Sequence, residues 1–408
     1  MKSFDVPEFY KSPLITAIKH KRKAEDKMKK DFTPTRLQLG AMEVFLARHF
    51  GFCYGVENAI EIAFKTVNEN PGKRIFLLSE MIHNPQVNKD LLQSGVQFIM
   101  DTHGKHFIEW DELHADDIVI IPAFGTTLQT EQLLREKGID PLQYNTTCPF
   151  VEKVWNRSAQ IGQKGYTIII HGKPKHEETR ATFSHSSAES PSVVVNDMAE
   201  AQRLEKYIKG QASDEEFYQE FAGQYSEGFS PATDLQKIGV VNQTTMLASD
   251  TQAIADYLKQ VMIEHYQLSP DTTSERFADT RDTLCYATND NQSAIKGLLD
   301  VDADFAIIVG GYNSSNTSHL VELCEEKLPT YFIENASKII SAHEIIHYDL
   351  HTHQEHTTKP FLPQSRPVRI IISSGASCPD AEVERVINRL ASLIPQAKYT
   401  TDILAHWL

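Results

Sequence analysis

Apolar and polar positions along this chain follow two alternating periods. Mainly apolar segments of strand length occupy residues 44–47, 75–78, 117–121, 167–170, 238–241, 306–309 and 369–372. Between them, apolar residues recur at helical spacing. Val56, Ala59, Ile60, Ala63, Phe64 and Val67 stand at offsets of three, four, seven, eight and eleven from the first, one face of an amphipathic helix. Val151, Val154 and Trp155 begin a second helix behind Pro149, a residue suited to the first helical position. Ala294, Ile295, Leu298 and Leu299 form the stripe of a third, for which Thr288 or Asn289 offers a cap. Buried-type strands alternating with such helices predict an α/β fold of mainly parallel sheets with helices on both faces.

The pattern is written three times. Each copy opens with a cysteine at a strand-to-helix turn: His49-Phe-Gly-Phe-Cys53, Asn145-Thr-Thr-Cys148-Pro149 and Asp282-Thr-Leu-Cys285-Tyr-Ala-Thr-Asn289. The next strand ends in a polar cluster, His83-Asn-Pro, His176-Glu-Glu178 or Asn313-Ser-Ser-Asn316, which begins 30, 28 and 28 residues after its cysteine. A last strand precedes Pro122-Ala-Phe-Gly125, Gln243-Thr-Thr245 and Ser374-Gly-Ala-Ser377. Repetition at this length predicts three pseudo-equivalent α/β/α units, 43–143, 144–280 and 281–408, behind an N-terminal extension 1–42. Residues of about 204–235 and 341–366 read as polar excursions from the second and third units. All nine motifs fall at the carboxyl ends of strands, where parallel sheets gather their ligands.

Charge narrows the partners. A net charge of -15 would repel nucleic acid or an anionic membrane over most of the surface. No run of about 18 apolar residues appears and the N-terminus lacks the apolar core of a secretory signal, so a cytoplasmic protein is expected. The lysine-rich residues 19–30 also hold Glu25 and Asp26 and read as a solvated helix. Neither G-x-G-x-x-G after a strand nor G-x-x-x-x-G-K-[ST] occurs, so no NAD, flavin or ATP site is indicated and electrons must come from an external carrier.

In such a compartment the five cysteines are expected to be reduced. Cys53, Cys148 and Cys285, delivered by three equivalent units, are the natural ligands of a 4Fe-4S cluster that keeps one iron free of protein. Such an iron is a Lewis acid and an electron conduit together. Cys324 shares a stripe with Leu320 and Val321 and reads as core; Cys378 has no counterpart in the other copies. His347, His351, His353 and His356 read as a solvated loop. The polar clusters resemble an anion cage. His83, Asn313, Ser314, Ser315 and Asn316 lie where helices start, with free N–H groups, and His176, Gln243 and Ser377 add donors. Glu178 is placed to act as a general acid, with Thr244 relaying or orienting the proton.

As a set, Gly-Phe-Cys53-Tyr-Gly-Val, Ile-His83-Asn-Pro, Thr-Cys148-Pro-Phe-Val, His176-Glu-Glu178-Thr, Asn-Gln243-Thr-Thr245, Cys285-Tyr-Ala-Thr, Asn313-Ser-Ser-Asn316 and Gly-Ala-Ser377 resemble the 4-hydroxy-3-methylbut-2-enyl diphosphate reductase family, over residues of about 45–394. The resemblance implies three α/β units around a cluster held by the three cysteines, and an allylic diphosphate whose hydroxyl meets the open iron. It implies a diphosphate held by His83, His176, Ser314, Asn316 and Ser377, proton delivery through Glu178 and Thr244, and isopentenyl and dimethylallyl diphosphate as products. The electron donor implied is ferredoxin or flavodoxin, with ferredoxin favoured because Phe124, the N-terminal extension and the insertions are similar to the plant and cyanobacterial branch. Phe124, where many members have histidine, and Cys378 depart from the commoner pattern. Two other readings stand beside this one, a non-redox cluster enzyme of the quinolinate synthase kind and a non-catalytic metal-binding or iron-sensing protein.

Overall fold

The computed structural model describes residues 4–278 and 283–408; Asp282 of the third cysteine motif and the boundary expected at 280/281 lie outside them. The chain divides into two compact units. One comprises residues 1–61, 82–90 and 286–408, the other 62–81 and 91–285.

The first unit is built on an eight-stranded mixed sheet. Met42–Leu46, Val368–Ser374, Phe305–Val309 and Thr330–Ile333 run parallel in that order. Every residue of Met42–Leu46 and of Phe305–Val309 is buried, as expected of strands covered on both faces. Thr35–Leu39 adds antiparallel to Met42–Leu46 at one edge, with a buried-exposed alternation that marks a half-buried strand. The second unit holds two parallel sheets. One is Gln97–Phe98, Ile75–Leu77 and Ile118–Ile120; the other is Ser192–Val195, Thr167–His171, Ile238–Asn242 and Phe277–Ala278.

The α/β class and the parallel sheets are those expected, and three features differ from the sequence reading. The strand before Cys53 pairs with Val368–Ser374 and not with the 75–78 and 118–120 strands that follow it in the chain. Its apolar run asks only for buried neighbours on both sides, and sequence alone does not say which strands supply them. Residues 341–366 are not an irregular excursion: Glu344–Asp349 and Gln354–Thr358 form an antiparallel hairpin on the sheet edge, with His347 directly opposite His356. Among the described residues, no group of three or more histidine, cysteine or acidic side chains is gathered to hold a metal ion. Residues 204–235 likewise carry helices, Met198–Ile208, Asp214–Glu220 and Pro231–Asp234. They bury Leu204, Phe217, Phe221, Phe229 and Leu235 in one cluster against strand residues Ile169, Val193 and Val240. Each such apolar side chain contributes roughly 1.5–3 kcal/mol on leaving water.

Of residues 19–30, read as a solvated helix, only those up to Glu25 are helical, and they continue a helix whose first half is buried. Helix Pro13–Glu25 is capped by the Ser12 hydroxyl and buries Leu14, Ile15, Ala17 and Ile18. Its neighbours brace the turn that carries Cys53. Phe4 meets Tyr54 edge-on at 4.8 Å, Tyr10 meets Phe52 at 5.7 Å, and the Lys19 ammonium lies 4.8 Å from the Phe50 ring centre. No helix among the described residues is long and apolar enough to cross a membrane.

Candidate active site

Each of the three cysteines opens a helix. Cys53 precedes Tyr54–Glu69, Cys148 is the cap before Pro149–Gly162, and Cys285 precedes Tyr286–Leu298. Thr288 and Asn289 therefore lie inside the third helix and do not cap it. Free N–H groups and the helix dipole at such positions favour a thiolate. At Cys53 burial pushes the thiol up, while the Val56 and Gly55 N–H groups donate to the sulfur and pull the other way. A half-buried sulfur poised between these effects is suited to a bound cation that removes its proton. The donor set fits an iron–sulfur cluster, since cysteine thiolate is the ligand such clusters take. The cysteine turns are tied to the strand ends beside them. Cys53 N–H donates to the Ala376 carbonyl at 3.2 Å, Cys148 N–H to Ala123 at 2.9 Å and Cys285 N–H to Thr244 at 3.2 Å.

In the first unit several of the candidate anion ligands are held by hydrogen bonds to neighbouring turns. The Ser377 hydroxyl donates to the His83 carbonyl at 3.1 Å, and Asn84 Nδ2 donates to the Ser377 carbonyl at 2.9 Å. Asn84 Oδ1 accepts from the Gln86 and Val87 N–H groups at 3.0 and 3.1 Å and so caps helix Pro85–Gln93. Ser314 caps helix Ser315–Glu325, accepting from the Thr317 N–H. Asn316 Oδ1 accepts from the Ala376 N–H at 2.9 Å and from Asn291 at 3.3 Å. His83, Ser314, Ser315, Asn316 and Ser377 are all buried; Asn313 is exposed. A Cβ added to Gly311 would stand 2.5 Å from the His83 carbonyl oxygen, so only glycine lets these two turns meet.

In the second unit Glu178 is 2% exposed and its Oε1 accepts the Thr244 N–H at 2.6 Å. The Thr244 main chain thus bridges Glu178 and Cys285. His176 caps helix Glu177–Ser187, its Nδ1 accepting from the Glu178 N–H at 3.2 Å, and its ring meets Phe124 edge-on at 5.6 Å. Gln243 is fully buried and its amide is engaged at both ends. Oε1 accepts from the Lys173 N–H and the Thr179 hydroxyl at 3.1 and 3.0 Å, and Nε2 donates to Thr245 at 2.7 Å. It braces the turn that carries Thr244. The sequence reading missed Asn84, Asn291, and the buried Glu177, which accepts from Ser79. Asn84 and Glu177 lie inside motifs already singled out, and Asn291 shares the buried face of its helix with Thr288 and Gln292 ahead of the apolar stripe.

The chain is of the α/β oxidoreductase class. More narrowly, the chain belongs to the LytB protein family, which matches residues 44–391. A 4-hydroxy-3-methylbut-2-enyl diphosphate reductase of Synechococcus sp. is 42% identical over 359 residues, 88% of this chain and 87% of that protein. A solved (E)-4-hydroxy-3-methyl-but-2-enyl diphosphate reductase, described as the terminal enzyme of the non-mevalonate pathway, is 26% identical with a TM-score of 0.51, over 86% of this chain and 99% of that one. The solved E-1-hydroxy-2-methyl-but-2-enyl-4-diphosphate reductase of Plasmodium falciparum shares the fold, at a TM-score of 0.62 and 20% identity, over 88% of this chain and 90% of that one. Membership gives no support to the quinolinate-synthase-like or iron-sensing readings.

Proposed function

We propose that the chain reductively removes the hydroxyl of (E)-4-hydroxy-3-methylbut-2-enyl diphosphate to give isopentenyl and dimethylallyl diphosphate, with Cys53, Cys148 and Cys285 holding a 4Fe-4S cluster. The observation that carries this reading is the shared placement of the three cysteines, each at a helix start and tied by its N–H to a neighbouring strand end. When bound, the cluster supplies electrons and an iron open to the substrate's oxygen. The chain's own side chains do the rest. His83, Ser314, Ser315, Asn316 and Ser377, with Asn313 and His176, are assigned to the diphosphate, the helix start at 315 adding N–H groups. Glu178 is the general acid, held by the Thr244 N–H, and Gln243 acts through the Thr244 turn. Two electrons and two protons enter, and water leaves.

The test is anaerobic purification, iron and sulfide analysis, and a reductant-dependent assay on the hydroxymethylbutenyl diphosphate, with both products expected. Protein that carries a cluster yet leaves this substrate unconsumed would refute the assignment. The Gly311 contact yields a second expectation. Gly311→Ala should displace the His83 turn and raise KM for the diphosphate by about 10- to 100-fold, as ångström-scale misplacement does, while the cluster absorbance persists. An unchanged KM would detach this turn from substrate binding.

A further inference from the structure

We propose that the basic surface formed by the N-terminal segment beside Cys53 is the docking site of a small acidic electron-carrier protein, an inference that rests on Cys53 being a cluster ligand.

In a chain of net charge -15, residues 19–30 hold seven basic residues against only Glu25 and Asp26. The apolar face of helix Pro13–Glu25 is buried, so the lysines that follow are turned to the surface. They border a cleft of about 230 Å³ whose lining includes Lys19, Lys23, Lys29, Arg48 and Cys53 against the acidic Glu57 and Asp290. Lys19 is paired with Asp380 at 2.7 Å and Lys29 with Asp290 at 3.7 Å. Lys23, Lys27 and Lys30 are exposed and have no ion-pair partner among the described residues.

Arg48 adds a buried cation to this cleft, with Asp26, Asp31 and Asp290 acting on it from nearby. It is 7% exposed, its Nε has no hydrogen-bond partner among the described residues, and its Nη2 reaches only the Arg22 carbonyl, at 3.3 Å. A buried guanidinium with an unsatisfied N–H is costly unless an acceptor arrives. His49 reports the same field, its imidazole pushed down to about 4 by burial and by Arg48, Lys29 and Lys19. Its Nε2 is also without a partner among the described residues.

The reaction proposed above consumes two electrons, so a one-electron carrier must dock twice, oxidised by one electron each time. Electron transfer weakens steeply with distance, which favours entry where a ligand cysteine lines an accessible cleft. A positive patch on a chain of net charge -15 attracts an acidic carrier there while the net charge opposes its approach elsewhere, which fixes orientation as well as rate.

The test compares full-length, cluster-loaded wild type with a Lys23→Glu/Lys27→Glu/Lys30→Glu variant, all three positions lying outside the assigned catalytic and binding residues. Turnover is measured with reduced plant-type ferredoxin and with reduced methyl viologen, and the affinity for oxidised ferredoxin is measured by calorimetry at low salt. The reversal should raise the ferredoxin KM and dissociation constant by about tenfold or more and leave viologen-driven turnover unchanged, while the matching lysine-to-arginine variant behaves as wild type. Equal ferredoxin affinity in wild type and charge-reversed protein would overturn the proposal, as would binding of phosphatidylserine vesicles in place of ferredoxin. Absence of viologen-driven turnover in wild type strikes instead at the assigned reaction, because the affinity comparison reads the docking surface without it.

Discussion

Replacing Glu178 by glutamine is expected to leave the visible absorbance of the cluster intact and to lower kcat by about 10²- to 10⁴-fold, the range a positioned acid supplies. Glutamine keeps an oxygen able to accept the Thr244 N–H that now reaches Glu178 Oε1 at 2.6 Å, so the turn should hold its shape. What it lacks is the dissociable proton that lets a hydroxyl depart as water. A glutamate that merely stabilised the first turn of helix Glu177–Ser187 through its dipole would be exposed and worth about 0.3–1 kcal/mol. Glu178 is instead 2% exposed and bonded to a strand-end turn whose next hydrogen bond is to Cys285. Wild-type turnover in the glutamine variant, measured anaerobically with excess reductant, would remove Glu178 from proton delivery. Thr244→Ala should be far milder than Glu178→Gln, because the contact to Glu178 is made by the Thr244 main chain.

The parts of this architecture that were legible in the sequence are those with strong local signals. Phe305–Val309 is apolar throughout and Thr167–His171 is apolar at its three central positions because both faces are covered, and helix Tyr54–Glu69 shows its stripe at once. The cysteine turns were found by repetition, which needs no knowledge of contacts. Strand partnership was not legible. Nothing in Met42–Leu46 says that it lies beside Val368–Ser374, more than 300 residues away in sequence. The hairpin at 344–358 escaped for another reason: its second strand, Gln-Glu-His-Thr-Thr, is largely exposed, so burial did not select an alternating pattern. Residues 204–235 look polar by composition, yet Phe217, Phe221 and Phe229 stack within 5.0–5.2 Å of one another in pairs through Phe217. A few large aromatics order a segment that average hydropathy assigns to solvent. At the site, residue types were readable while their work was not. Gln243 was read as a ligand, and in the structure its amide also holds the Thr244 turn, while Asn316 spends its Oδ1 on Ala376 and Asn291, which fixes the Ala376-Ser377 turn next to the Cys53 N–H.

Cysteine position within a helix leads to the second large effect. Cys53→Ala should abolish the cluster absorbance and with it turnover, whereas Cys324→Ala should keep both and lose about 1 kcal/mol of stability, a typical cost for a small truncation. Burial pushes both thiols up, Cys324 to about 12. The difference lies in what opposes burial. Cys53 stands before the first turn of its helix, where the Gly55 and Val56 N–H groups are free to donate to sulfur. Cys324 lies near the end of helix Ser315–Glu325, where N–H groups are already used by the helix and the dipole disfavours an anion; its nearest charge, Glu325, raises the thiol further. Cys378 resembles Cys324 in this respect, fully buried with burial and Glu382 holding its proton on. A thiolate that binds iron therefore has a favourable seat at position 53 and none at 324. Iron and sulfide content per chain, measured on anaerobically prepared protein, decides the matter: retention of a full cluster in Cys53→Ala, or its loss in Cys324→Ala, would reverse the choice of ligands.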